Sequence, residues 1–301
     1  MERGRLHMVL NPQATSIGFI GTGVMGKSMA GHLQKAGYKL HVYSRTRAKA
    51  EELLALGAQW HDSPASLAEH SDVVITMVGY PSDVEEVYLG EHGIVKHAKQ
   101  GSYLIDMTTS SPTLAKRIES EAKARGLSAL DAPVSGGDIG AREARLSIMV
   151  GGEQAAFDAV LPIFQLMGTN IVLQGAAGAG QFTKMCNQIA IASNMMGVVE
   201  AIVYAEKAGL DPSTVLKSIE SGAAGSWSLS NLAPRIINGN FAPGFFVKHF
   251  IKDMGIALQS AKEMNLELPG LKLAHSLYEQ LAAMGEGDSG TQALYKVISK
   301  L

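Results

Sequence analysis

Apolar positions in the first half of the chain come in short runs, each bounded by glycine or polar residues and each too short for a helix. They are 17–20, "YKLHVYS" (38–44), "DVVITMV" (72–78), "GSYLIDM" (101–107) and "LSALDAPV" (127–134), with "LSIMVGG" (146–152) and "NIVLQG" (170–175) further on. Runs of this kind mark strands buried on both faces. Segments of helical period separate them. Residues 24–36 place Met25, Met29 and Leu33 on one face and stop at Gly37, "AKAEELLALG" (48–57) stops at Gly57, and Ser63 with Pro64 caps and opens a helix in "SPASLAEH" (63–70). Strand and helix in alternation predict a doubly wound parallel α/β sheet, whose ligands sit beyond the carboxyl ends of the strands. Those ends carry Gly21, Ser44, Val78, Thr108 and Ser135.

The period changes at "GAAGAGQFTK" (175–184), where a Gly/Ala-rich connector leads into helical periodicity that persists almost to the end. Helices are expected over 179–208, 212–221, 229–238, 247–264 and 269–284, giving a sheet domain over 15–177 and an all-helical domain over 178–301. The composition suits two ordinary folded cores, with 46% hydrophobic and 18% charged residues in 301. A net charge of −2 supplies no basic footprint for nucleic acid or an anionic membrane. The single cysteine, Cys186, excludes an internal disulfide and a multi-cysteine metal centre, suits a reducing cytoplasm, and is expected in the core. The nine histidines show no ligand spacing, so no metal is expected. The stretch 189–205 is broken by Asn194 and Glu200 and reads as a buried helix, not a membrane span. Residues 1–15 lack a signal peptide's apolar middle and read as a loose extension.

The candidate chemistry starts at "SIGFIGTGVMGKSMAGHL" (16–33), a strand that ends in Gly21, Gly23 and Gly26 and turns at once into a helix. Gly21 permits the tight turn, Gly23 lets a pyrophosphate approach the backbone, and Gly26 lets helix and strand pack closely. The free N–H groups and positive dipole end of that helix favour an anion. With the strand before it and the strand after it, the segment has the size of a Rossmann-type dinucleotide-binding unit. An NAD enzyme is expected to carry Asp or Glu about 20 residues further on, for the ribose 2′-hydroxyl. No acid lies between Tyr38 and Ala50; Ser44, Arg45, Thr46 and Arg47 stand there instead. Two cations and two hydroxyls suit a 2′-phosphate, so NADP is the expected cofactor and NAD the alternative. The other reading of the arginines is a solvent-facing helix start.

Two further constellations concern the substrate. Ser135, Gly136 and Gly137 follow a strand in "DAPVSGG" (131–137), as a small anion nest or simply as a tight turn. Lys184, Asn187 and Gln188 stand at i, i+3 and i+4 of the first long C-terminal helix. An ammonium able to exchange a proton, beside two amides able to hold a carboxylate or hydroxyl, makes a candidate active-site face; a solvated polar face is the alternative.

Over residues 16–294 these segments together resemble the β-hydroxyacid dehydrogenases, which include 3-hydroxyisobutyrate dehydrogenase, tartronate semialdehyde reductase and the glyoxylate/succinic semialdehyde reductases. Four motifs match in order: "GFIGTGVMGKSMAGHL", "DAPVSGG", "GAGQFTKMCNQ" and "FAPGFFVKHFIKD". The resemblance implies an oxidoreductase that moves hydride between a nicotinamide and a small carboxylate-bearing aldehyde or its hydroxy acid. In it Lys184 is catalytic, and Ser135, Gly136 and Gly137, with Asn187 and Gln188, hold the substrate. The implied cofactor set is Gly21, Thr22, Gly23, Val24, Met25 and Gly26 of the loop, Ser44, Arg45, Thr46, Met77 and Val78 at later strand ends, Thr109 near the nicotinamide, and Lys252. A homodimer or homotetramer is implied as well, with no nucleic-acid or membrane partner.

The chain departs from the family pattern at Ala144-Arg145-Leu146, where Gly-Thr-Leu is common, at Gln188, where a second asparagine is frequent, and in "GDSGTQAL" (287–294). Those departures bear on which substrate is used. The competing readings are an imine reductase-like enzyme, against which Lys184 speaks, a 6-phosphogluconate dehydrogenase, which needs a longer chain, and a non-catalytic dinucleotide-binding protein, which has no need of Lys184.

Overall fold

The computed structural model describes residues 10–301. Residues 1–9 of the expected loose extension lie outside that range, but its end is fastened: Leu10 and Thr15 are buried, and the Tyr38 hydroxyl donates to the Leu10 carbonyl at 3.2 Å. The chain divides into two compact units, the first ending at Lys184 and the second spanning Met185–Leu301.

Among the described residues the first unit holds nine strands: β1 (Ser16–Ile20), β2 (Lys39–Tyr43), β3 (Gln59–Trp60), β4 (Val73–Thr76), β5 (Tyr103–Asp106), β6 (Ser128–Asp131), β7 (Val134–Ser135), β8 (Leu146–Gly151) and β9 (Gly168–Gly175). Their order across the sheet is β3-β2-β1-β4-β5-β6-β8-β7, with β9 beside β8. β1 pairs in parallel with both β2 and β4, so the order reverses between β1 and β4, the place where such sheets open a crevice. The central strands are apolar on both faces because a core lies on each. Phe19, Val73, Ile75 and Ile105 belong to one, and Ile20, Val74 and Leu104 to the other.

The sheet is not wholly parallel, since β8 runs antiparallel to β6 and β7. The run 127–134, expected as one strand, breaks at Ala132-Pro133, where proline has no N–H to continue the ladder. The chain turns there and re-enters as β7.

Helices α1 (Val24–Lys35), α2 (Glu51–Ala55), α3 (Pro64–Glu69), α4 (Pro81–Leu89), α5 (Ile94–His97), α6 (Pro112–Ala124), α7 (Gly137–Arg142) and α8 (Gln154–Phe164) complete this unit. The cap at Ser63 is as expected, its Oγ accepting from the Ser66 N–H at 3.1 Å. Helix α9 (Ala179–Lys207) starts in the first unit and continues into the second, which adds α10 (Pro212–Ile219), α11 (Trp227–Asn231), α12 (Ala233–Ile237), α13 (Val247–Glu263), α14 (Pro269–Leu281) and α15 (Tyr295–Ile298). The single helix expected over 229–238 is therefore two, parted next to Pro234, which cannot donate to the turn before it. Met195, Val199, Phe250, Met254, Leu271 and Tyr278 are among the residues of the second unit's core.

Cys186 is exposed, not in the core as expected. The apolar and small residues of α9 are spread round its own circumference, so its sequence marks no inside face.

Candidate active site

Beyond β1 the chain makes its glycine turn. Gly21 has φ +98°, its N–H donates to the Tyr43 carbonyl at 2.9 Å, and the Met77 N–H donates to the Ile20 carbonyl at 2.9 Å. The ends of β1, β2 and β4 are thereby tied to one another. A Cβ on Gly21 would lie 2.1 Å from the Met77 carbonyl oxygen and 3.3 Å from a Val78 methyl, and one on Gly26 would lie 1.9 Å from the Gly21 carbonyl oxygen. Both glycines are required by close approach. Gly23 differs, because nothing stands within 4 Å of where its Cβ would be.

Gly23 is the N-cap of α1, and the helix has neither a side-chain cap nor an acidic residue in its first turn. Its first N–H groups have no side-chain acceptor there. Beside them the Thr22 hydroxyl is buried without a partner among the described residues, Val24 is 64% exposed, and Met25 packs against the core. Open space over Gly23, uncapped N–H groups and an orphaned hydroxyl are features that a dinucleotide's diphosphate fits.

Past β2, Ser44 is half-buried while Arg45 and Thr46 are exposed. Arg47 lies over the Trp60 ring at 5.2 Å, and Arg45, with its side chain 77% exposed, pairs with Asp83 at 3.1 Å. Asp83 also accepts from the Tyr80 N–H at 3.1 Å as part of a capping box at the start of α4. Counting acids between Tyr38 and Ala50 misses Asp83, which arrives from another element. An exposed pair of this kind is worth little and exchanges readily for a better anion.

The ends of β4, β5 and β6 carry a buried polar chain. The Thr76 hydroxyl donates to Asp106 at 2.8 Å and meets the Tyr88 hydroxyl at 3.0 Å; the Thr108 N–H donates to Asp106 at 3.1 Å, and the Val78 N–H to the Thr108 hydroxyl at 3.0 Å. Burial pushes the Asp106 carboxyl up to about 6, against the lowering by its Thr108 and Thr76 hydrogen bonds. One strand over, Asp131 accepts from the N–H groups of Gly178 at 2.7 Å and Gln181 at 2.8 Å. Burial raises its pKa too, and these backbone donors oppose the rise. The Gln181 side chain donates to the Thr108 carbonyl at 2.8 Å and accepts from the Ser110 N–H at 2.9 Å. Thr109 sits between those two contacts, half-buried.

At the end of β7, Ser135 is half-buried, and Gly136 and Gly137 follow with φ +130° and +63°. Two successive left-handed residues need glycine. Further on, Ala144 also has positive φ, 53°, so the departure from the family's glycine places a side chain in a conformation that disfavours one.

Lys184 lies one turn beyond Gln181 on α9 and is 7% exposed, which excludes the solvated-face reading. Gln188 is buried as well. In the second unit the Asn187 amide donates to Gln188 at 2.8 Å, Gln188 donates to Asp253 at 2.6 Å, and Lys252 pairs with Asp253 at 2.9 Å. Asp253, on α13 and 2% exposed, holds two residues expected from sequence, Gln188 and Lys252, and was not itself among the expected site residues. Asp131, Gln181 and Asp106 were likewise missed. The available signal was an apolar strand ending in an acid, as in "YLID" and "SALD".

Residues 16–175 match the family model for the NAD binding domain of 6-phosphogluconate dehydrogenase, and residues 178–298 match that for NAD-binding of NADP-dependent 3-hydroxyisobutyrate dehydrogenase. An uncharacterised oxidoreductase of Bacillus subtilis, YkwC, is 65% identical over 282 residues, covering 94% of this chain and 98% of its own. The 2-hydroxy-3-oxopropionate reductase of Escherichia coli is 43% identical, over 94% of this chain and 96% of its own. Among solved structures, that of Mycobacterium tuberculosis 3-hydroxyisobutyrate dehydrogenase with L-serine matches with a TM-score of 0.88 and 30% identity, covering 94% of this chain and 99% of its own.

Proposed function

The chain belongs to the β-hydroxyacid dehydrogenase family, and from that premise we propose that this NAD(P)-dependent enzyme transfers hydride between NADP(H) and a small carboxylate-bearing aldehyde or its hydroxy acid. The observation that carries the reading is a buried ammonium-bearing side chain, Lys184, one helical turn from the residue that brackets Thr109. Supporting it are the open, uncapped helix start at Gly23 and the exposed Arg45.

Each residue group then has one task. The N–H groups at the start of α1 hold the diphosphate, and Arg45 leaves Asp83 for the 2′-phosphate. The turn Ser135-Gly136-Gly137 offers a nest for the substrate's carboxylate, and Asn187 and Gln188, each taken by itself in the second unit, offer amides suited to a carboxylate or hydroxyl. NADPH, when bound, supplies the hydride. Lys184 gives its proton to the forming alkoxide oxygen in reduction and takes the hydroxyl proton in oxidation. Lys252, at the second unit's Asp253, contributes to the cofactor. That unit also carries a substrate-side departure, since the longer amide of Gln188 is the one that reaches Asp253.

The test is a panel of tartronate semialdehyde, glyoxylate, succinic semialdehyde and sulfolactaldehyde, with 3-hydroxyisobutyrate in the oxidising direction, each run with both nicotinamides and followed by nicotinamide absorbance. Turnover of at least one, faster with the phosphorylated cofactor, is expected. Equal efficiency with NADH overturns the cofactor assignment, and no turnover across the panel overturns the substrate class.

A further inference from the structure

Gln181 is wholly buried, and both ends of its amide are hydrogen-bonded. Its Nε2 donates to the Thr108 carbonyl at 2.8 Å, and its Oε1 accepts from the Ser110 N–H at 2.9 Å. The carboxamide thus pairs with the backbone on both sides of Thr109, as a neighbouring strand would. Its own N–H is held by Asp131 at 2.8 Å, and the same carboxylate holds the Gly178 N–H at 2.7 Å. Glycine lets the helix start come this close, for a Cβ on Gly180 would lie 2.3 Å from the Met149 carbonyl oxygen and 2.7 Å from that of Asp131. The glycines of "GAGQFTK" therefore serve close packing, and the segment is no slack connector.

On the other side, Thr108 is fastened to Asp106 and to the Val78 N–H. A line of hydrogen bonds, buried from Thr108 onward, accordingly runs from Val78 through Thr108 and Gln181 to Asp131. Lys184 follows Gln181 by three residues, on a helix face shared at one-turn spacing.

We propose that Gln181 is a positioning residue for Lys184: its amide fixes the height and rotation of the α9 start against Thr109, and so sets where the Lys184 ammonium meets the reacting oxygen. The proposal rests on Lys184 being the proton donor. A misplacement on the order of 1 Å is enough to cost about 100-fold in rate, so a residue that never touches substrate can govern turnover.

The test uses Gln181→Met, which keeps the length of the side chain and removes both hydrogen bonds, together with Lys184→Ala and the double variant. Gln181→Met is expected to lower kcat by roughly 10- to 100-fold with NADPH affinity nearly unchanged, and to enlarge the isotope effect on kcat with deuterated NADPH. The double variant is expected to turn over no more slowly than Lys184→Ala alone, because the two act as one unit. Near-normal kcat in Gln181→Met overturns the positioning role, as does a double variant whose loss is the product of the two single losses. Near-normal kcat in Lys184→Ala instead sinks the reading of Lys184 and takes the proposal with it.

If Gln181→Met does not accumulate as folded protein, Gln181→Glu takes its place. It keeps the acceptor for Ser110 and can donate to Thr108 only when protonated, near the carboxylates of Asp131 and Asp106. Its kcat is expected to fall further below that of the unaltered enzyme as pH rises; a ratio independent of pH, with kcat near normal, overturns the proposal.

Discussion

The start of α1 and the start of α9 both drive a helix N-terminus hard against the sheet, and both use glycine to do so. They differ in what becomes of the N–H groups. At α1 there is no side-chain cap, no acid in the first turn, and open space over Gly23. At α9 a carboxylate from β6 occupies the same kind of donors, with Asp131 on Gly178 and Gln181. An open helix start is a binding site for someone else's charge; a closed one is a platform. The first suits a cofactor phosphate, and the second suits a lysine that must not move.

The largest expected effect falls on the platform. Lys184→Ala should lower kcat by on the order of 10²- to 10⁴-fold, the range for a positioned acid or base. NADPH affinity, read by fluorescence titration, should barely change if the diphosphate lies, as proposed, at the start of α1. Comparable losses in both quantities would erase the division of labour between the two helix starts.

The open site is sharpened by two glycine substitutions of opposite outcome. Gly23→Ala adds a methyl to empty space, so stability should stay within about 0.5 kcal/mol while the NADPH dissociation constant rises roughly 10- to 100-fold. Gly26→Ala drives a methyl into the Gly21 carbonyl and should cost about 1–3 kcal/mol or more in a denaturant titration. Unaltered NADPH binding in Gly23→Ala would mean that the space is not where the diphosphate lies.

Arg45→Ala should reduce the preference for NADPH over NADH about tenfold, the worth of one charge-assisted contact at an exposed position. Asp83 makes this a two-sided measurement. An unchanged or raised preference would mean that Arg45 does not hold the 2′-phosphate, since the variant also leaves Asp83 without its cation.

The smallest net effect in the unaltered protein is on the pH dependence of stability, where two opposed contributions nearly cancel. Burial, then His61, lowers the pKa of His41 from 6.5 to about 4, where its Nδ1 lies 2.8 Å from His61 Nε2. The neutral ring's contribution is complete above 6.5 and is lost as pH falls toward 4. Asp106 acts in the opposite sense: raised from 3.8 to about 6, its contribution is complete at low pH and is lost as pH rises through 6. Each amounts to about 3 kcal/mol, so they nearly cancel across the shared window. Thermal melts should give a nearly flat profile there, which Asp106→Asn tilts upward with pH and His41→Gln tilts downward. Identical slopes in all three proteins would remove both groups from the balance.

What the sequence reveals follows the same contrast. The open site is legible because glycine at 21, 23 and 26 is a local pattern, and the strand before it and the helix after it show in their periods. The closed site is not, because Asp131 meets its donors 47 and 50 positions later and no period links them. Asp83 and Asp253 were hidden for the same reason, each acting on a residue from a distant element. Two-residue strands such as β3 and β7 are too short to carry an alternation. Cys186 is misplaced by a helix whose apolar residues encircle it, and the break at Ala132-Pro133 is a local signal whose consequence, an antiparallel β7, depends on where β8 lies.

The central claim is hydride transfer to a carbonyl whose own carboxylate is held by the enzyme. Its most direct test is kcat/KM with NADPH for succinic semialdehyde against butyraldehyde, which has the same carbon chain without the carboxylate. The carboxylate-bearing aldehyde should be favoured by roughly 10- to 100-fold or more, the worth of charge-assisted hydrogen bonds to one anion. Equal kcat/KM for the two would contradict the account, since the enzyme would then be holding no substrate carboxylate.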